Sequence, residues 1–141
     1  MTKRFLGLLT ITAALALTAC GGGGSDTEAV ATPFYGTYSV NLKLTGNTCN
    51  IGDLQPESTV IQYVSQANRT ISLSSGTLKF QGTVDSDNAG FTTANSQVID
   101  GVEVISNMNY RAGSPAGTHS VQYIVTAGGC NITYSGTATK I

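Results

Sequence analysis

The sequence predicts an all-β protein, an antiparallel meander of about eight strands closed into a barrel. Three observations point there. From Phe34 onward apolar and polar residues alternate with period two, and turn residues interrupt the alternation about every 8–12 residues. The chain is only 11% charged, rich in Ser, Thr, Asn and Gly, and past residue 20 no stretch spaces its apolar residues as a helix would. The third is the placement of two cysteines, Cys49 just after the first alternating segment and Cys130 just before the last. If those two strands pair antiparallel, the end of one lies beside the start of the other, where a disulfide could form. Pairing first with last closes a meander and removes its edges. The alternative is a two-sheet β-sandwich of immunoglobulin type, whose bridge links strand centres next to a tryptophan. Here both cysteines lie in turns rich in Gly and Asn and there is no tryptophan, which favours the barrel.

The expected strands follow in order. In Gly36 to Leu44, residues Tyr38, Val40, Leu42 and Leu44 share one face, with Thr37, Ser39, Asn41 and Lys43 on the other. The next are Thr59 to Gln66, Thr70 to Ser74, Thr77 to Val84, Phe91 to Ile99, Val102 to Tyr110, His119 to Thr126 and Asn131 to Thr139. Asp100-Gly101 is a strong two-residue hairpin signal, because both positions accept positive φ. That loop length sets a register: Ile99 opposite Val102, Gln97 opposite Val104, Asn95 opposite Ser106, Thr93 opposite Met108 and Phe91 opposite Tyr110. Most large apolar residues of the hairpin share this face, so it should point inward. It also carries Asn95, Gln97 and Ser106, which would need partners if buried and become the candidate ligand-lining residues.

Residues 1–19 have the layout of an export signal: Lys3 and Arg4, then an apolar run from Phe5 to Leu17, then small residues. The run is shorter than the ~20 residues a membrane span needs. Leu17-Thr18-Ala19-Cys20 resembles the lipobox of bacterial lipoproteins. The resemblance implies that the signal is cut before Cys20, that the Cys20 thiol is lipidated and that the new amino group is acylated. Several acyl chains make an anchor stable where one does not. Residue 21 is glycine, and in lipoproteins of two-membrane bacteria aspartate at that position marks inner-membrane retention, so the resemblance favours the outer membrane. Residues 20–32, opening Cys20-Gly21-Gly22-Gly23-Gly24-Ser25, read as a flexible tether with a reach of about 20 Å. Residues 33–141 are then the single all-β domain, long enough for a modest core. Gly36-Thr37-Tyr38 is similar to the Gly-X-Trp that opens lipocalin-like barrels, over three residues and with tyrosine for tryptophan; no ligand is carried over on it.

Five basic and eight acidic residues remain past residue 19, a formal charge of −3 with His119 neutral. The basic residues are scattered, so nucleic acid is excluded as a partner and the expected membrane association is the covalent lipid. Catalytic chemistry is not expected. His119 is the only histidine, its neighbour Ser120 points to the opposite face, and no Gly-X-Ser-X-Gly elbow exists. His119 itself is expected to face solvent. One histidine without a free cysteine also argues against a transition-metal site. Asp85-Ser86-Asp87-Asn88-Ala89-Gly90 resembles a calcium loop in its opening carboxylates and glycine, but Ser96 stands where a bidentate glutamate is needed, so a hairpin turn is expected. No cofactor or metal follows from these residues.

The expected role is a lipid-anchored binding module of the cell envelope, taking a small ligand inside the barrel or another envelope protein at its rim, for instance on Arg111 to Thr118. The alternative is a structural surface protein whose barrel is packed solid. Eight-stranded barrels occur in both forms. Phe80, Phe91, Tyr123 and Tyr134 at inward positions favour filling, whereas Gly82, Gly136 and Ala138 favour space.

Overall fold

The computed structural model describes residues 34–141; the expected signal at 1–19 and the tether at 20–32, with Cys20, lie outside the described residues. Eight strands follow one another: β1 (Gly36–Asn47), β2 (Glu57–Ala67), β3 (Thr70–Ser75), β4 (Leu78–Val84), β5 (Gly90–Ile99), β6 (Val102–Ala112), β7 (Thr118–Ala127) and β8 (Cys130–Lys140). Each pairs antiparallel with the next, and β8 pairs with β1, which closes the barrel. The closing register sets Val40 opposite Ala138 and Leu42 opposite Gly136. It also brings Cys49 and Cys130 together as a disulfide, with Cα atoms 5.0 Å apart across 81 residues of sequence. The barrel closes on itself and its core is built from the described residues alone.

The alternation sets inside from outside. Tyr38, Val40 and Leu42 are buried, while Asn41 and Lys43 between them are exposed. The outer face of β8 likewise carries Asn131, Thr133, Ser135, Thr137 and Thr139. The outward faces of β1 and β8 are thus polar where their inward faces are apolar.

The Asp100-Gly101 turn has positive φ at both central residues, 51° and 80°, as a type I′ turn requires. The β5–β6 register is the one expected, from Ile99 opposite Val102 to Phe91 opposite Tyr110. The hairpin nonetheless outruns its neighbours. β4 pairs with β5 only up to Ala94, and β7 meets β6 only from Val104 onward. The tip is therefore a projecting arm, with Val98, Ile99 and Val102 exposed.

Gly82 and Gly136 have a different role from the one expected. A Cβ on Gly82 would lie 1.9 Å from the Thr92 carbonyl oxygen of β5, and one on Gly136 would lie 1.8 Å from that of Asn41 on β1. These glycines let neighbouring backbones close up where the barrel wall bends; they do not leave room in the middle.

The interior has two unlike halves. At the end where Phe34 enters, Phe34, Tyr38, Phe91, Tyr110 and His119 form a packed aromatic cluster, with Phe91 stacked on Tyr110 at 4.5 Å between ring centroids. Phe34 is tied in place: its N–H donates to Gln66 Oε1 at 2.7 Å, and its carbonyl accepts from Tyr38 Oη at 2.8 Å. His119 is buried among these rings and does not face solvent as expected, because β7 pairs on both sides and its inward phase includes His119 together with Val121. At the opposite end, where the disulfide and the β1–β2 loop lie, the interior opens.

Candidate ligand cavity

Seven of the strands and the β1–β2 loop line a cavity of about 430 Å³ at the disulfide end of the barrel. Its walls are apolar: Leu42 from β1, Val60 from β2, Leu78 and Phe80 from β4 and Met108 from β6. Each is at an inward position of the period-two pattern. Tyr123 and Tyr134, from β7 and β8, stand near the mouth with their rings 6.3 Å apart. Residues 53–55 of the β1–β2 loop bend over the rim and contribute Leu54 to the lining. The loop is held by the disulfide, by Tyr134 Oη donating to the Gln55 carbonyl at 3.1 Å, and by Leu44 N–H donating to the Pro56 carbonyl at 2.8 Å. A volume of this size falls in the range of small-molecule sites, about 300–1,000 Å³.

Gln62 sits where the cavity meets the aromatic cluster. It is 1% exposed, yet it lines the cavity. Its Oε1 accepts a hydrogen bond from Tyr110 Oη. Burial pushes the Tyr110 phenol pKa up, with Tyr38 adding to the shift, so Tyr110 stays protonated and able to donate. That donation identifies which end of the amide is the oxygen: the reverse assignment would leave the phenol hydrogen without an acceptor. Gln62 Nε2 then has no hydrogen-bond partner among the described residues. A buried amide N–H left so costs about 1–3 kcal/mol. Of the other polar groups in the lining, Tyr134 Oη donates to the Gln55 carbonyl and Tyr123 Oη to Ser106 Oγ at 3.5 Å, while Ser58 and Ser75 are half-buried and Asp53 is exposed.

The residues expected to line a cavity lie beside this one. Ser106 is buried and accepts from Tyr123 Oη at 3.5 Å. Asn95 bridges the gap where β5 leaves β4, its Nδ2 donating to the Lys79 carbonyl at 2.8 Å, while Oδ1 is without a partner among the described residues. Gln97 is exposed on the arm. None of the three is part of the cavity lining. Their pairing is as expected; the expectation failed because the hairpin continues beyond the barrel and carries Gln97 out of it, while Asn95 and Ser106 turn to partners on β4 and β7. Gln62 was missed although a signal existed, a glutamine between Val60 and Val64. Ile61 and Tyr63 make the other face of β2 equally apolar, so alternation alone leaves its inward phase undecided, and both prove exposed.

At the opposite end, the Asp85–Gly90 segment is a tight loop between β4 and β5. Arg111 pairs with Asp85 at 3.1 Å and with Asp87 at 3.0 Å. The Ala89 N–H and then Arg111 hold the Asp87 carboxyl below its ordinary pKa. Among the described residues no group of His, Cys, Asp and Glu could hold a metal ion. The loop from Arg111 to Thr118 is also at this end, away from the cavity. No family model matches the chain, and no curated protein or solved structure matches it.

Proposed function

We propose that this chain is a lipid-anchored envelope lipoprotein whose barrel binds one small, largely apolar ligand. The observation that carries the proposal is the division of the interior: an aromatic cluster packs one half, and a cavity of about 430 Å³ occupies the other. A barrel acting only through its exterior would gain stability by packing both halves, since voids in a core are destabilising. Orientation supports the same reading. The chain enters the barrel at its packed end through Phe34, so the residues ahead of it join the barrel at the end opposite the mouth and leave the mouth unobstructed. A chain of residues 21–141 keeps the whole barrel and omits the anchoring cysteine. Titrated without detergent, it should enhance the fluorescence of N-phenyl-1-naphthylamine saturably, and Val60→Trp, which fills the cavity, should abolish the enhancement. No saturable binding by the unsubstituted chain, or binding that persists in Val60→Trp, overturns the proposal.

A further inference from the structure

The geometry points to a neutral, largely apolar ligand carrying a hydrogen-bond acceptor oxygen at its inner end, which accepts from Gln62 Nε2. This inference rests on the proposed ligand-binding role and specifies the ligand's chemistry. Gln62 lies deep in the cavity, and its amide is oriented by Tyr110, so its nitrogen offers N–H groups and nothing else. A donor calls for an acceptor: a ketone, ester, amide or ether oxygen fits, and a donor-only group such as an ammonium does not. The lining includes no Lys, Arg or His, and its one charged residue is Asp53 at the mouth. An inward carboxylate or phosphate would thus lose its hydration with no countercharge to replace it, which selects neutral molecules. The walls of Leu42, Val60, Leu78, Phe80 and Met108 can exchange only apolar contact with the rest of the ligand. Among the polar side chains of the lining Gln62 alone is fully buried with an unpaired donor, so the site reads an acceptor oxygen at the ligand's inner end, and it discriminates because a ligand lacking that atom leaves the amide unpaired.

Two probes of nearly identical shape separate this inference from the reading beneath it. 2-Acetylnaphthalene carries a ketone, and 2-isopropenylnaphthalene replaces its oxygen by a methylene. Titrated into residues 21–141, the ketone should bind roughly 3- to 10-fold more tightly than the alkene, the range one net hydrogen bond allows. The carbonyl stretching band of the bound ketone should shift to lower frequency. Gln62→Met alone would strand the Tyr110 hydroxyl, so the informative variant is Gln62→Met with Tyr110→Phe, which removes both partners together. It should keep the barrel's melting behaviour, bind both probes alike and lose the band shift. Equal binding of the two probes by the unsubstituted chain, or a preference that survives in the double variant, overturns the role of Gln62 and leaves the cavity a ligand site. Failure of both probes to bind overturns the inference together with the proposed function.

Discussion

His119 illustrates how one residue's surroundings become a property of the protein. It is enclosed by Phe34, Tyr38 and Tyr110, with ring centroids 5.3–6.0 Å from its own, and its Nδ1 has no partner among the described residues. Burial lowers its pKa below the ordinary 6.5, and the Lys140 charge lowers it further. The unfolded chain then takes up a proton at higher pH than the folded one. Where the unfolded state holds more protons, stability rises with pH. The contribution of neutral His119 is therefore complete above about pH 6.5 and is lost as pH falls below it toward the lowered folded value. Asp87, whose pKa is lowered from 3.8, withdraws its contribution only in more acidic solution, so the two windows are separate. Urea unfolding between pH 5 and 7.5 should show stability falling on the acid side, and His119→Phe should flatten that slope. An unchanged slope in the variant would place the titrating group elsewhere.

The strands are shaped as much by what is missing as by what is present. β8 passes β1 closely enough that any side chain at Gly136 meets the Asn41 carbonyl, and β4 does the same to β5 at Gly82. Backbone cannot yield as a flexible side chain can. Gly136→Ala should therefore destabilise the barrel by at least the ~1–3 kcal/mol typical of overpacking, while Ser135→Ala on the outward side of the same strand should stay within about 0.5 kcal/mol. Chemical denaturation of the two variants side by side tests this, and equal stabilities would mean that the seam between β8 and β1 opens at little cost. The β5–β6 arm shows the opposite arrangement. Beyond Ala94 it leaves β4, and its apolar tip of Val98, Ile99 and Val102 lies in solvent.

Over the whole molecule, the disulfide joins the first strand's end to the start of the last and so ties the seam on which closure depends. It closes a loop of about 80 residues in the unfolded chain, and removing such a bridge from a small domain costs about 2–5 kcal/mol. Cys49→Ala with Cys130→Ala should lower stability by that amount and, because the bridge also pins the loop bearing Leu54, weaken binding of N-phenyl-1-naphthylamine. Thiol counting by mass spectrometry under non-reducing conditions checks the bridge itself, and two free thiols in protein from an oxidising compartment would contradict it. The proposed anchor has a separate test. Cys20→Ser should abolish lipidation and shift the protein out of the lipid-bearing membrane fraction. If the variant shows the same mass increment from acyl chains as the original, lipidation is on another residue.

The eight strands, the Asp100-Gly101 register and the Cys49–Cys130 bridge were legible in the sequence because each depends on short-range rules. Side chains alternate along one strand, positive φ is confined to a few residue types, and a closed meander must set its first strand against its last. The cavity was not legible, for a reason that the same rules contain. Alternation states which residues of a strand face inward but not which residues of different strands share one level of the barrel; that depends on the stagger between strands and on where each ladder ends. The stagger puts Phe34, Tyr38, Phe91, Tyr110 and His119 on one level and fills it, and puts Leu42, Val60, Leu78 and Met108 on another and leaves it open. The β4 ladder ends at Ala94, so Gln97 is carried out of the barrel with the arm. On β2 apolar residues occupy both faces, and only pairing with β1 and β3 turned Gln62 inward against Tyr110. Alternation, turn chemistry and cysteine placement favoured a closed, disulfide-tied barrel over a two-sheet sandwich, and the pairing of β8 with β1 settles it; the unpaired amide at the base of a cavity arises only where side chains from non-adjacent strands meet, which no single strand's pattern records.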